Sequence, residues 1–144
     1  MNKRNYNDRP FAVVEKQFNY KGHDCICIFS ANGVRCGYVS VTDKEKPHDD
    51  YDVDCHGSLT FDGELPDYYK PKADYYIGFD CGHWCDGVDY DQAVKYNLIE
   101  QSEADYNKNK KLFSYLSDRP VRDLDYVEAN CKSIVDQLER KRIK

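Results

Sequence analysis

The sequence has no long apolar run and no leader-like start. None of its apolar stretches reaches the ~18 residues of a membrane span. The N-terminal segment carries charge but is not followed by an apolar core, so it does not resemble a secretory signal peptide. We therefore expect a cytoplasmic protein with no membrane contact. Its seven cysteines, an odd number, are then expected to be thiols.

The patterns of common cofactor sites are also missing. The chain contains no G-x-x-x-x-G-K-[ST] phosphate loop. Its cysteines and histidines lack the paired spacings typical of structural zinc, so we expect no cofactor, with a divalent metal ion as the alternative. Residues 43–107 carry 5 basic and 17 acidic side chains, which excludes a basic nucleic-acid footprint from this segment. The acidic centre suits a cation or a basic protein surface, although solubility explains it as well.

The composition indicates a folded core. A chain of 144 residues with 40% hydrophobic and 14% aromatic content is typical of one globular domain, which we expect to span residues 1–144. Thirteen tyrosines are present against one methionine. Tyrosine suits contact surfaces and wet pockets, and it is equally common at half-exposed strand positions.

Strand patterns come first along the chain and helix patterns come last. This order predicts an α+β fold, in which an antiparallel sheet of about five strands is covered on one face by C-terminal helices. The strand-rich part covers residues 10–80 and the helical part residues 91–142. Asn32-Gly33 predicts a tight hairpin, and Gly37 predicts a bulge or a close backbone approach. The predicted strands are 11–20, 24–30, 34–41, 53–61 and 75–79, and the predicted helices are 91–101, 104–116 and 120–141.

The last predicted helix carries one apolar stripe. Its members recur at spacings of three and four, and they are Leu124, Val127, Cys131, Ile134 and Leu138. Pro120 fits the first turn of this helix. The stripe predicts packing on the chain's own sheet, with a homodimer contact through helix 120–141 as the alternative.

Residues 75–91 are the densest in groups that carry chemistry. The apolar run 75–79 ends in Asp80, and His83, Trp84 and Asp86 follow within six residues. A histidine beside carboxylates serves either acid–base chemistry or metal binding. His56-Gly57 begins a second polar group, in which His56, Ser58 and Thr60 alternate along the predicted fourth strand. The predicted ligand-binding residues are His56, Gly57, Thr60, Tyr76, Asp80, His83, Trp84 and Asp86.

Three alternatives stay open at this site. His56, Asp80 and His83 could hold one metal ion with an open position for water. Cys81 could be a nucleophile if its thiol pKa were lowered. Trp84 could be a ligand-stacking face, although a core position is more common.

The combined motifs are similar to those of a group of small proteins from bacteriophages and Gram-positive bacteria. The motifs are H-G-x-L-T at 56–60 and two aromatic residues followed by I-G-F-D-x-x-H-x-x-D at 75–86, together with segments 35–39 and 124–138. The resemblance implies a phage or prophage accessory protein, located in the host cell cytoplasm if phage-encoded, and it implies no catalytic residue.

We therefore expect a protein that acts by binding, most simply by antagonising a host defence through a defence protein or its nucleotide signal. The alternatives are a metal-assisted hydrolase at His56, Asp80 and His83, and a purely structural role in which these side chains only satisfy buried hydrogen bonds.

Overall fold

The sheet and its covering helix follow the predicted α+β plan. The computed structural model describes residues 9–47, 52–112 and 119–143. The strands are β1 (Ala12–Tyr20), β2 (His23–Ser30), β3 (Arg35–Ser40), β4 (Phe61–Gly63) and β5 (Tyr76–Asp80). The helices are α1 (Tyr90–Lys95), α2 (Gln101–Leu112) and α3 (Leu124–Ile143), with a 3-10 turn at Asp67–Tyr69.

The sheet is antiparallel with the order β1-β2-β3-β5-β4. The predicted Asn32-Gly33 hairpin is confirmed: Gly33 has φ +83°, and its N–H donates to the Ser30 carbonyl at 2.9 Å. β5 lies between β3 and β4, and four of its five residues are buried. In the described part of the chain, no helix is long and apolar enough to cross a membrane.

Helix α3 packs its apolar stripe on one face of the sheet. Val127, Cys131, Ile134 and Leu138 are buried in one core cluster with residues of β2, β3 and β5. Each aliphatic side chain buried in this way contributes about 1.5–3 kcal/mol. The predicted packing of the stripe on the chain's own sheet is thus confirmed, and a homodimer through this helix stays a prediction that would need its outward face.

Gly37 provides the close approach that the sequence predicted. A Cβ at this position would lie 2.6 Å from the Phe79 ring and 2.8 Å from Cys131 Sγ, so the missing side chain lets α3 approach β3. The one register shift in the sheet as described lies elsewhere, in β1 between Val14 and Lys16.

The predicted fourth strand at 53–61 is wrong. Gly57 and Ser58 have φ +68° and +70°, a turn that no strand accommodates, and the strand begins only at Phe61. Residues 54–56 instead run beside α3, and the chain returns to the sheet at Thr60, whose N–H donates to the Gly78 carbonyl at 2.9 Å. The backbone N–H of Asp54 donates to Gln137 Oε1, and Gln137 Nε2 donates to the Asp54 carbonyl. Asn130 Oδ1 accepts from the His56 N–H at 2.9 Å. Helix side chains have replaced the ladder partners, so His56, Ser58 and Thr60 do not share a strand face.

Two helix boundaries also differ from the prediction. The first helix ends at Lys95 instead of continuing to 101, because Asn97 adopts the left-handed conformation with φ +60°. The last helix begins at Leu124 rather than 120, because Asp123 Oδ1 accepts from the Tyr126 N–H at 2.9 Å and caps it. Pro120 precedes the helix and accepts from Gly87 at 2.7 Å. The predicted second helix runs to 116, and its last residues lie outside the described part.

Candidate functional site

The site lies at the end of the sheet where β5 stops and β3 starts. Asp80 is the last residue of β5 and pairs with Cys36 of β3. The chain then turns sharply, since Asp80 Oδ1 accepts from the Gly82 N–H at 3.0 Å and His83 O accepts from the Asp86 N–H at 2.9 Å. These two turns place His83 and Asp86 beside each other and next to His56 and Gly57.

Asp86 is the centre of a cluster that we name the Asp86 cluster: Asp86, His56, His83, Arg122 and Tyr126. The Asp86 side chain is completely buried. Its Oδ2 accepts from His56 Nε2 at 2.8 Å, from the His83 backbone N–H at 3.0 Å and from His83 Nδ1 at 3.1 Å. Its Oδ1 accepts from Arg122 Nε at 2.9 Å. This carboxylate is therefore fully satisfied by donors from three separate segments.

The carboxylate fixes the protons on both imidazoles. An ionised carboxylate only accepts, so His56 carries a proton on Nε2 and His83 carries one on Nδ1. His56 Nδ1 lies 2.7 Å from the Tyr126 hydroxyl, which donates to it when the ring is neutral. His83 Nε2 lies 3.9 Å from Asp80 Oδ1, beyond hydrogen-bond distance. His83 is thus held by Asp86 with its second nitrogen turned toward Asp80.

The hydrogen bonds of Asp86 set its protonation. Burial alone would raise the pKa of this carboxyl, but the bonds from His56, the His83 backbone, Arg122 and the His83 side chain outweigh it and lower the pKa to about 2. Asp86 is consequently ionised at every pH at which the protein is expected to work.

Gly57 makes room for His83. Its φ of +68° is the left-handed region that glycine occupies without strain, and a Cβ there would overlap the His83 ring. The two residues of the His56-Gly57 motif therefore have separate tasks: His56 donates to Asp86, and Gly57 lets His83 approach.

An open cavity of about 650 Å³ lies in front of this cluster. Its polar side includes Asp80, His83 and Asp86, and two exposed aromatic side chains line it as well: Phe11 is 52% exposed and Trp84 is 75% exposed. The remaining lining residues are Ser30, Asn32, Val34, Cys36, Gly82 and Val88. The expectation that Trp84 belongs to the core is wrong, because the Arg119 guanidinium, 4.5 Å from the ring, holds it on the surface.

The structure brings seven of the eight predicted site residues to this end of the sheet. His56 and Gly57 lie behind His83, and Thr60 Oγ1 donates to Asp80 Oδ2 at 3.1 Å. Tyr76 does not belong with them. It starts β5, about 13 Å along the strand from Asp80, and its hydroxyl donates to Asp24 Oδ2 at 2.6 Å.

The predicted metal trio of His56, Asp80 and His83 is not the group that the fold assembles. The ligand atoms that lie within 4.8 Å of one another belong to His56, His83 and Asp86. Asp80 approaches only the far nitrogen of His83. The sequence could not choose between the two aspartates, since each stands three residues from His83.

The Cys81 thiol does not have the environment of a nucleophile. It is 1% exposed, and burial together with the nearby Asp86 carboxylate raises its pKa far above the usual range. Cys81 is instead a small apolar member of the core cluster under α3.

Arg122 and Tyr126 were missed by the sequence reasoning. Arg122 lies 36 residues from its partner Asp86, and Tyr126 lies 70 residues from its partner His56. Both are brought to the site by the N-terminal end of α3. Arg122 lies just before α3 and Tyr126 lies in its first turn, and only the packing of α3 shows which groups they meet.

A scan of family models, a search of curated proteins and a search of solved structures each found no match to this chain. The similarity to small phage and prophage proteins therefore stays a prediction carried by the motifs themselves.

Proposed function

We propose that this protein acts by binding, and that its 650 Å³ cavity receives a cationic side chain from a basic surface of a partner protein. The observation that carries the proposal is the Asp80 carboxylate, which is 38% exposed and lines a cavity with Phe11 and Trp84. A carboxylate and aromatic side chains that line one cavity provide a favourable environment for a guanidinium or an ammonium group.

Asp80 is oriented for a ligand by its neighbours. Thr60 Oγ1 and the Gly82 N–H bind one oxygen each, which fixes the plane of the carboxylate. Asp86 lies deeper, and Arg122 already compensates its charge. The ligand's positive charge is therefore expected to meet Asp80 rather than Asp86.

The Trp84 ring already packs against a planar cation within the chain. The Arg119 guanidinium lies 4.5 Å from its centroid, and Arg119 also donates to the Trp84 carbonyl. Exposed tryptophan beside a pocket is enriched among the residues that dominate protein–protein binding energy. A partner's arginine at this ring would make a contact of the same kind.

The same charges disfavour an anionic nucleotide. A phosphate in the cavity would face Asp80, while Arg119 and Arg122 are engaged with Trp84 and Asp86 respectively. Of the two targets expected for a phage accessory protein that antagonises a host defence, a basic defence protein thus fits the cavity better than a nucleotide signal.

Trp84 also provides the assay, because it is the only tryptophan in the sequence. We would titrate the protein with a short glycine-flanked arginine peptide and with its citrulline counterpart, which has the same shape but no charge, and follow the tryptophan emission. The arginine peptide is expected to give a saturable change that salt weakens. Asp80→Asn should weaken this binding about tenfold, the loss of one charge-assisted hydrogen bond.

Asp62→Asn is the matched control, since Asp62 is an exposed aspartate on the neighbouring strand β4. It should leave the arginine response unchanged. Equal responses to arginine and citrulline, or an unaffected Asp80→Asn variant, would contradict the proposal. A response to a nucleotide instead would favour the signal-binding alternative.

Metal-assisted hydrolysis is a second candidate, favoured by the convergence of His56, His83 and Asp86. An ion there would replace the two protons that now bridge the imidazoles to Asp86. Elemental analysis of protein purified without a histidine tag tests it: stoichiometric metal that is lost in Asp86→Asn is expected if this candidate is correct. Full peptide binding in the presence of chelator by a metal-free protein would contradict it.

A further inference from the structure

A second group of metal-type ligands lies at the opposite end of the sheet. It consists of His23, the first residue of β2, Glu45 in the turn after β3, and Glu139 near the end of α3. Their ligand atoms lie within 4.8 Å of one another. The side chains of His23, Glu45 and Glu139 are 4%, 10% and 29% exposed. Three elements distant in sequence thus converge on one covered point.

The tautomer of His23 is fixed by the backbone. His23 Nδ1 lies 2.7 Å from the Ser40 carbonyl oxygen, which can only accept, so Nδ1 carries a proton. The other nitrogen, Nε2, points at the two carboxylates. This arrangement, with one imidazole nitrogen donating to a carbonyl and the other facing acidic groups, is typical of a metal-binding histidine.

The distances separate this group from the Asp86 cluster. His23 Nε2 lies 3.4 Å from Glu45 Oε2 and 3.8 Å from Glu139 Oε2, both longer than an N–H···O hydrogen bond. Ligands around one ion bound at about 2.0–2.2 Å in tetrahedral geometry lie roughly 3.2–3.6 Å apart. The distance to Glu45 falls in this range, and the distance to Glu139 is slightly longer. In the Asp86 cluster the corresponding distances are 2.8 and 3.1 Å, the lengths of proton-bridged contacts.

Charge leads to the same conclusion. A neutral His23 would direct the lone pair of Nε2 at two carboxylates, which is repulsive in a covered site. A cation between the three groups turns each of these repulsions into a favourable contact. Glu45 is held for this role, because its Oε1 accepts from the Thr42 N–H at 2.9 Å while Oε2 faces His23.

We propose that His23, Glu45 and Glu139 bind a divalent transition-metal ion such as Zn²⁺, independently of the function proposed above. One imidazole and two carboxylates form a mixed nitrogen and oxygen ligand set of the kind that Zn²⁺ accepts. A cavity of about 190 Å³ adjoins Glu45, and Lys44, Lys46 and Lys141 also line it. The ion would tie α3 to the start of β2 and to the turn after β3.

The test uses Zn²⁺ alone. Full-length protein without a histidine tag is stripped with chelator and titrated with Zn²⁺, and both the bound metal and the shift in Tm are measured. We expect about one Zn²⁺ per chain and a rise in Tm, because a ligand of the native state adds its binding free energy to stability. Glu45→Gln and Glu139→Gln keep the side-chain shape and should each weaken Zn²⁺ binding at least about tenfold.

Glu128→Gln is the control on the same helix, since Glu128 pairs with Lys16 and Lys132 away from this group. It should bind Zn²⁺ as the unchanged protein does. Zn²⁺ affinity that neither Glu45→Gln nor Glu139→Gln alters would overturn the inference, because the ion would then be held by thiols or by the Asp86 cluster. Loss of binding in Asp86→Asn alone would also overturn it, while favouring the second candidate function. If the protein takes up no Zn²⁺, the inference is also overturned, and the three side chains are then an ion-paired group without a metal.

Discussion

Substituting Gly57 with alanine tests how closely the His56-Gly57 turn supports His83. Alanine at φ +68° experiences the left-handed strain of an L residue, about 1–2 kcal/mol. Its Cβ would also overlap the His83 ring, so this side chain must move away from Asp86. Losing a hydrogen bond to a charged group adds about 1.5–3 kcal/mol. We therefore expect Gly57→Ala to lower the free energy of unfolding by about 2.5–5 kcal/mol.

Gly22→Ala is the control that separates the backbone strain of a left-handed alanine from the overlap of its Cβ with a neighbouring side chain. Gly22 is also exposed and has φ +89°, but a Cβ there would meet no atom within 4 Å. This variant should lose only the left-handed strain of about 1–2 kcal/mol. Urea unfolding at neutral pH, with unchanged m-values, measures both variants on one scale.

A double-mutant cycle with His83→Ala then tests whether the additional cost of Gly57→Ala over Gly22→Ala comes from contact with the His83 ring. When the imidazole is absent, the cost of Gly57→Ala should fall to that of Gly22→Ala, because only strain is left. The reasoning would be refuted if Gly57→Ala cost no more than Gly22→Ala in the unchanged protein, or if the excess persisted without His83.

Three further predictions concern protonation and burial. The lowered pKa of Asp86 contributes stability that is present above about pH 4 and is lost as the pH falls toward about 2. The difference between a pKa of about 2 and the ordinary 3.8 corresponds to about 2 kcal/mol. In chelator, Asp86→Asn should therefore lose about that much less stability over this window than the unchanged protein. Tyr126→Phe should lower the free energy of unfolding by about 1–3 kcal/mol, measured in urea, because His56 Nδ1 loses its partner. Burial raises the pKa of Cys36 to about 12 and that of Cys55 to about 11, so both thiols should react slowly with maleimide until urea unfolds the protein.

A specific outcome would contradict each of these three predictions. Parallel pH profiles for Asp86→Asn and the unchanged protein would show that the network does not hold the carboxylate ionised. An unchanged urea midpoint for Tyr126→Phe would mean that water replaces the hydroxyl. Rapid labelling of Cys36 in the native state, mapped by mass spectrometry, would contradict the burial of its thiol.

Local chemistry along the chain determined the elements of the fold. The Asn32-Gly33 turn and the β-branched runs around it set the hairpin, because the left-handed Gly33 acts on its immediate neighbours. The apolar stripe of α3 likewise predicted which side of the helix is buried. The Asp80–Asp86 segment was recognisable as one end of a site, since its polar groups follow a buried strand directly.

The partners within the site were decided only by the tertiary structure. Asp86 rather than Asp80 meets both histidines. Residues 54–56 pack along α3 rather than entering the sheet, because distant side chains of that helix supply their hydrogen bonds. The group around His23 had no sequence signal, since its three members come from β2, a turn and α3. Sequence patterns record what a residue does to its neighbours within a few positions. Contacts between elements depend on where α3 crosses the sheet, and the close approach at Gly37 fixes that position.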